Sequence, residues 1–232
     1  MTASSQTILF ALLGGILPAL FWLWFWLRED KLRPEPRGLL FLSFIIGMIV
    51  VPIVIPFQRW VSTDLANIGF ITIFLWAAIE EIFKYTASYW VALKRKVMDE
   101  PIDAMIYLIT TALGFAAVEN TLFLINSLSS GLFWSSIITG NMRFIGATLL
   151  HTLSSGLVGI AIGLSFYKSK KIRRFSLLIG IILSIALHTF FNFFIISSTS
   201  NGVFAVFAVI WALVVFLILF FERVKRVTKK NK

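Results

Sequence analysis

Cysteine is missing from all 232 residues, which excludes disulfides, thiolate metal sites and a cysteine nucleophile. Charge is scarce: Asp, Glu, Lys and Arg make up 14% of the chain, against roughly a quarter of a typical soluble domain. With only 11 acidic residues and two histidines, any that fall within an apolar segment stand out. No Ser- or Gly-rich linker divides the chain, and no loop is long enough to fold by itself. The H-E-x-x-H helix signature is absent, so any metal site has to be assembled across helices. No inverted repeat of the kind that marks many transporters is visible.

What is present is hydrocarbon. Apolar residues make up 59% of the chain, including 24 Phe and eight Trp, a composition that belongs in lipid. The aromatics are expected as core and interface anchors, with no organic cofactor. Seven runs, at about 8–27, 38–57, 69–91, 102–126, 142–167, 175–197 and 203–221, are long enough to cross ~30 Å of hydrocarbon as helices. Helices are required because lipid satisfies no free backbone group. The expected fold is an all-α, polytopic transmembrane bundle of about seven spans. Run 8–27 lacks a preceding positive residue and a following A-x-A-like site, so it reads as a retained anchor.

The net charge of +10 does not imply a nucleic-acid partner, because the cations lie between the apolar runs. Segments 28–37, 92–101 and 168–174 hold four, three and five Lys/Arg, and the tail from Glu222 holds six. The remaining three are Arg59, Lys84 and Arg143. Eighteen of 21 cations thus fall on alternate sides, which puts the N-terminus outside and the C-terminus inside. The chain, 1–232, reads as one integral-membrane domain with a basic cytoplasmic tail at 222–232 that anchors it to the lipid bilayer. The expected location is a membrane crossed many times.

Within the runs the ionisable residues are Glu80, Glu81, Lys84, Glu119, His151 and His188. A charge at mid-helix costs about 2.5–3.5 kcal/mol on insertion scales, so such residues face an interior and are functional by default. With the orientation above, Glu80, Glu81, Glu119, His151 and His188 lie roughly 10–17 Å below the outer surface, at 1.5 Å per residue. Lys84 is i+4 from Glu80 and i+3 from Glu81 and can pair with either. The two glutamates project about 100° apart, so one can be ion-paired while the other faces a cavity. His188 and Asn192 share a face by i, i+4 spacing, Phe115 shares one with Glu119, and Asn120 adds an amide beside it. Blander features surround them. Ser155, Gly159 and Gly163 form a close-packing face, Pro18, Pro52 and Pro56 kink their helices, and Asp99 caps the fourth helix ahead of Pro101.

A buried carboxylate with imidazoles suits water activation, by a glutamate acting as general base and then acid. An imidazole with an amide can stabilise an oxyanion. Alternatively, a glutamate and two histidines supply three ligands for a catalytic zinc, with Glu119, His151 and His188 as the metal-ligand candidates.

The motifs carrying these residues are EEIFK (Glu80 to Lys84), FAAVEN ending at Asn120, His151 in RFIGATLLHTLSSGLVG, and His188 with Asn192 in LHTFFN. In this order, and with LPALFWLWFW and RPEPRGLL before them, the sequence resembles the PrsW-type intramembrane protease family from about Pro18 to Asn192. That family lies in the clan of CAAX prenyl endopeptidases and bacteriocin-processing membrane proteases. The resemblance implies hydrolysis of peptide bonds in membrane-anchored protein substrates, in a prokaryotic cytoplasmic membrane. PrsW-type members are linked to the first, extracytoplasmic cut in an anti-sigma factor. The resemblance further implies Glu80 as general base, Lys84 holding a glutamate, and His188 with Asn192 as oxyanion stabilisers. The prenyl endopeptidases carry histidine where this chain has Glu119, and His151 is the candidate replacement imidazole. Catalysis is therefore expected to need Glu80, Glu81, Glu119, His151, His188 and Asn192, supported by Lys84 and Asn120. Two rivals remain at this point: a proton- or cation-coupled transporter using the same cluster, and a scaffold that captures partner helices on the small-residue face of the fifth helix.

Overall fold

A computed structural model of the chain describes residues 4–28, 30, 33–64, 69–129, 146–197 and 200–228. Among them are seven α-helices: α1 (Ser5–Leu27), α2 (Arg37–Asp64), α3 (Phe70–Ser88), α4 (Asp103–Ser129), α5 (Thr148–Leu164), α6 (Lys170–Ser197) and α7 (Ser200–Lys225). Five, namely α1, α2, α4, α6 and α7, are long and apolar enough to cross a membrane by length and composition alone. The other two expected spans differ for physical reasons. Helix α3 carries Glu80, Glu81 and Lys84 in its middle, and α5 has only 17 residues. The start of the fifth apolar run, 142–145, with Arg143, lies outside the described residues, as does 229–232 of the basic tail.

Ser4 begins the chain's first helix by accepting a hydrogen bond from the Thr7 N–H at 3.1 Å. Pro18, Pro52 and Pro56 all lie inside continuous helices. Helix α3 ends in a π-helical turn, Tyr89–Leu93, that was not anticipated.

Helix α4 is the axis of the bundle, with every residue from Asp103 to Ala117 buried. Small residues let its neighbours approach. At the α2–α4 crossing, a side chain on Gly47 would run into the Thr111 carbonyl, and one on Gly114 into the Phe44 carbonyl. The expected small-residue face of α5 packs on the start of α4: a Cβ on Gly159 would lie 2.7 Å from the Met105 Cα. Aromatic contacts close the other side, with Trp26 stacked on Phe221 at 5.2 Å between α1 and α7.

The junction before α4 corrects one expectation. The carboxylate that ties it is Asp103, not Asp99: its Oδ2 accepts the N–H groups of Asp99 at 2.9 Å and Glu100 at 2.7 Å. Pro101 falls in the turn ahead of the helix, so the first helical carboxylate reaches back over it. The same end of the bundle buries Asp30 and Glu35 from the α1–α2 connection, and the Tyr107 hydroxyl donates to Glu35. Burial raises the Asp30 carboxyl to about 6, and it raises that of Glu35 as well.

Candidate active site

Helices α2 to α6 bring the singled-out polar residues to one place. A cavity of about 570 Å³ is lined by Glu80, Glu119, His151, His188 and Asn192, within apolar walls that include Val54 and Phe207. Glu81, Lys84 and Asn120 stand behind that surface rather than on it.

The two adjacent glutamates have different surroundings. Glu81, 2% exposed, is saturated: Lys84 Nζ donates to Oε1 at 2.5 Å, His188 Nδ1 lies 2.7 Å from Oε1, and Ser184 Oγ donates to Oε2 at 2.9 Å. Glu80 turns to the cavity. Its Oε1 accepts from Gln58 Nε2 at 2.8 Å, while its buried Oε2 has no hydrogen-bond partner among the described residues. The nearby His188 Nε2 lies 3.7 Å from that oxygen.

Hydrogen-bond chemistry assigns the ring protons. Glu81 is acceptor-only when ionised, so His188 Nδ1 carries a proton, and the tautomer with a single ring proton has its lone pair on Nε2. Lys84 is donor-only, so its ammonium, 3.1 Å from His151 Nδ1, makes that nitrogen an acceptor. His151 Nε2–H then donates to Glu119 Oε2 at 2.8 Å. Phe115 supports this arrangement, with its ring 5.2 Å from that of His151 and 5.1 Å from Lys84 Nζ. Lys84, 1% exposed, is thus held by a carboxylate, an imidazole and an aromatic face, which is how its charge is tolerated at this depth.

Not every residue singled out from the sequence enters the cavity. Asn120 donates to Thr148 Oγ1 at 2.9 Å and ties α4 to α5. Two residues were missed. Ser184 is four before His188, a spacing that places it on the same face. Gln58 lies past the expected end of the second apolar run, at residue 57, and nothing in the local sequence links it to Glu80.

The donor set fits a divalent cation. Ligand atoms of Glu80, His151 and His188 lie within 4.8 Å of one another, all three residues buried. The Glu80 Oε2 to His188 Nε2 distance of 3.7 Å sets two acceptors facing each other, close to the ~3.3 Å that two ligands at ~2.0 Å span across a tetrahedral angle. Glu80 and His188 offer lone pairs as they stand, and His151 offers one once Lys84 ceases to donate to Nδ1. The convergent carboxylate is therefore Glu80, with Glu119 one hydrogen bond away through His151.

Comparison with known proteins covers the same stretch of the chain. The family model described as PrsW family intramembrane metalloprotease matches residues 35–220, which include every helix that lines the cavity. Protease PrsW of Oceanobacillus iheyensis is 28% identical over 186 residues, covering 78% of this chain and 80% of that protein. Protease PrsW of Geobacillus kaustophilus is 27% identical, with 82% and 81% covered. Protease PrsW of Shouchella clausii is 27% identical over 219 residues, covering 94% and 96%. No solved structure matches the chain. With apolar helices fit to cross a membrane, a buried carboxylate–imidazole cavity and a family match over most of its length, the chain belongs to the PrsW family of intramembrane metalloproteases, multi-pass membrane peptidases.

Proposed function

We propose that this peptidase cuts membrane-anchored proteins near the extracytoplasmic face, with an anti-sigma factor as the substrate type, and that Glu80 is the carboxylate that acts on water. The observation carrying this reading is the division of labour between the Glu80 oxygens: Oε1 is held by Gln58, and the buried Oε2 has no hydrogen-bond partner among the described residues and lies 3.7 Å from His188 Nε2. Glu80 Oε2 takes a proton from the attacking water as the water oxygen adds to the scissile carbonyl. The same carboxyl then returns that proton to the leaving amine as the C–N bond breaks. Asn192, on the cavity wall one turn from His188, supplies an amide N–H to the developing oxyanion. Glu81 is occupied by Lys84, His188 and Ser184, so it orients His188 and carries no proton in the reaction.

A second reading is favoured by the convergence of Glu80, His151 and His188: these three would hold zinc, and Glu80 would then be a ligand rather than the base. Bound there, the ion polarises the carbonyl and acidifies water. Glu119, at the cavity edge and hydrogen-bonded to His151, would then be the proton acceptor in place of Glu80. The orientation is N-terminus out and C-terminus in, by the placement of the cations, and the chain acts as one integral-membrane protease domain.

The test uses purified protein in bilayers with single-span peptides whose candidate segment lies near either membrane face. Wild type and Glu80→Gln are compared with and without a strong chelator, followed by zinc. Glu80→Gln is expected to slow cleavage by ~10²–10⁴-fold. Loss of wild-type cleavage to chelator with recovery on zinc supports the zinc reading, with Glu80 as ligand. Cleavage untouched by chelator leaves the metal-free route, with Glu80 as base. Full activity in Glu80→Gln removes Glu80 from the mechanism, and cutting confined to the cytoplasmic side overturns the assigned face.

A further inference from the structure

Gln58 touches the reaction centre at one remove and is fastened at both ends. Its backbone carbonyl accepts the Trp76 indole Nε1–H at 3.1 Å and the Ser62 hydroxyl at 2.8 Å. Its side-chain Nε2 donates to Glu80 Oε1 at 2.8 Å. Trp76 and Glu80 are four residues apart, one above the other on the same face of α3. One turn of α3 therefore grips one residue of α2 twice, first by its backbone and then by its side chain.

The consequence lies in how a glutamate rotates. A carboxylate on a flexible stem with one free oxygen can turn either oxygen, or neither, toward the cavity. An amide donor anchored from another helix occupies Oε1, which leaves Oε2 as the oxygen directed at His188 Nε2. Amide nitrogen is suited to this because it donates without carrying charge. It therefore adds no ion to the cavity wall, and it cannot itself take the proton.

We propose that Gln58 is a positioning residue for the reaction: through its hydrogen bond to Oε1, with its own backbone clamped by Trp76, it holds Glu80 with Oε2 directed at His188 Nε2. The inference rests on the reading of Glu80 as the working carboxylate, whether as base or as ligand.

Gln58→Met keeps the length and volume of the side chain and removes the donor, and Trp76→Phe loosens the backbone clamp while leaving the amide in place. Gln58→Met is expected to lower kcat by ~10–100-fold, the usual range for a residue that orients a ligand or catalytic group, with KM within about twofold. Trp76→Phe is expected to fall between it and wild type. A second readout needs no turnover. The infrared carboxyl band isolated as wild type minus Glu80→Gln, in bilayers without substrate, is expected to shift in Gln58→Met as Oε1 loses its donor. An unshifted band, or an unchanged kcat with either band position, overturns the inference. So does a rise in KM alone, which would make Gln58 a substrate contact. Full activity in Glu80→Gln would instead overturn the role of Glu80, so the two failures are told apart.

Discussion

At the residue scale, the chain separates two neighbouring glutamates by what surrounds each. Glu81 and Lys84 form a buried ion pair completed by His188 and Ser184, and removing one member strands the other in a dry interior. Truncating one partner of such a pair costs about 3–5 kcal/mol. Glu81→Ala is therefore expected to lower resistance to thermal or denaturant unfolding by about that amount, whereas Glu80→Gln keeps an acceptor for Gln58 and unfolds like wild type. Comparable stability of the two variants would refute this assignment. The sequence singled out both carboxylates, since any charge at that depth is conspicuous. It left open which is ion-paired, because 100° between successive side chains says only that they diverge. Asn120 and Asn192 make the same point: two amides alike in sequence, one spent on Thr148 and the other on the cavity wall.

At the scale of elements, the site depends on how closely helices approach α4. The α2–α4 crossing has backbone against backbone at Gly47 and Gly114, and it sets the position of α2 and hence of Gln58. Gly114→Val is expected to push the helices apart and to destabilise the protein by about 1–3 kcal/mol, the usual range for overpacking. Its cleavage rate should fall as well, measured on folded protein in bilayers. A variant with wild-type stability would show that this crossing has slack. Helices α3 and α5 show where a hydropathy reading stops. Both were expected as spans and neither is among the five helices that qualify by length and composition: α3, a continuous helix, carries the polar groups of the site, and α5 has 17 described residues. Gln58 was not legible at all, because a hydrogen bond between α2 and α3 leaves no trace in the spacing of either helix. Ser184 had a legible spacing, yet a helical serine more often satisfies itself on the i−4 carbonyl, as Ser154 does at 2.7 Å, so its sequence signal is weak.

At the scale of the whole molecule, membership of a peptidase family removes the transporter and scaffold readings as descriptions of its activity. The end of the bundle that carries the α1–α2 connection holds a separate acidic cluster, and it makes stability depend on pH. Asp30, 6% exposed, is raised from 3.8 to about 6 by burial and by the charges of Asp103 and Glu100, partly offset by Lys225. The folded state then binds the proton more tightly than the unfolded chain. Stability contributed by protonated Asp30 is fully present below about pH 4 and is lost as pH rises toward about 6. Asp30→Asn, which keeps an acceptor but cannot ionise, is expected to gain on wild type across this window by about 1–2 kcal/mol, and by no more at higher pH. Melting temperatures measured in bilayers from pH 4 to 8 test this. A difference between the two proteins that does not change with pH would rule Asp30 out as its source.

The amino-acid sequence alone determined the solvent, the helical architecture and the short set of ionisable residues inside the apolar runs. Each of these follows from a cost paid residue by residue: an unsatisfied peptide group in lipid forces a helix, and a charge in lipid must have a purpose. Tertiary structure decided the rest: Glu80 lines the cavity and Glu81 does not, the carboxylate that converges with His151 and His188 is Glu80 while Glu119 is hydrogen-bonded to His151, and Gln58 is hydrogen-bonded to Glu80. These outcomes depend on the rotation and separation of neighbouring helices. Contacts between residues far apart in the chain, such as Gly47 against Thr111, set those quantities, and the periodicity of a single helix does not contain them.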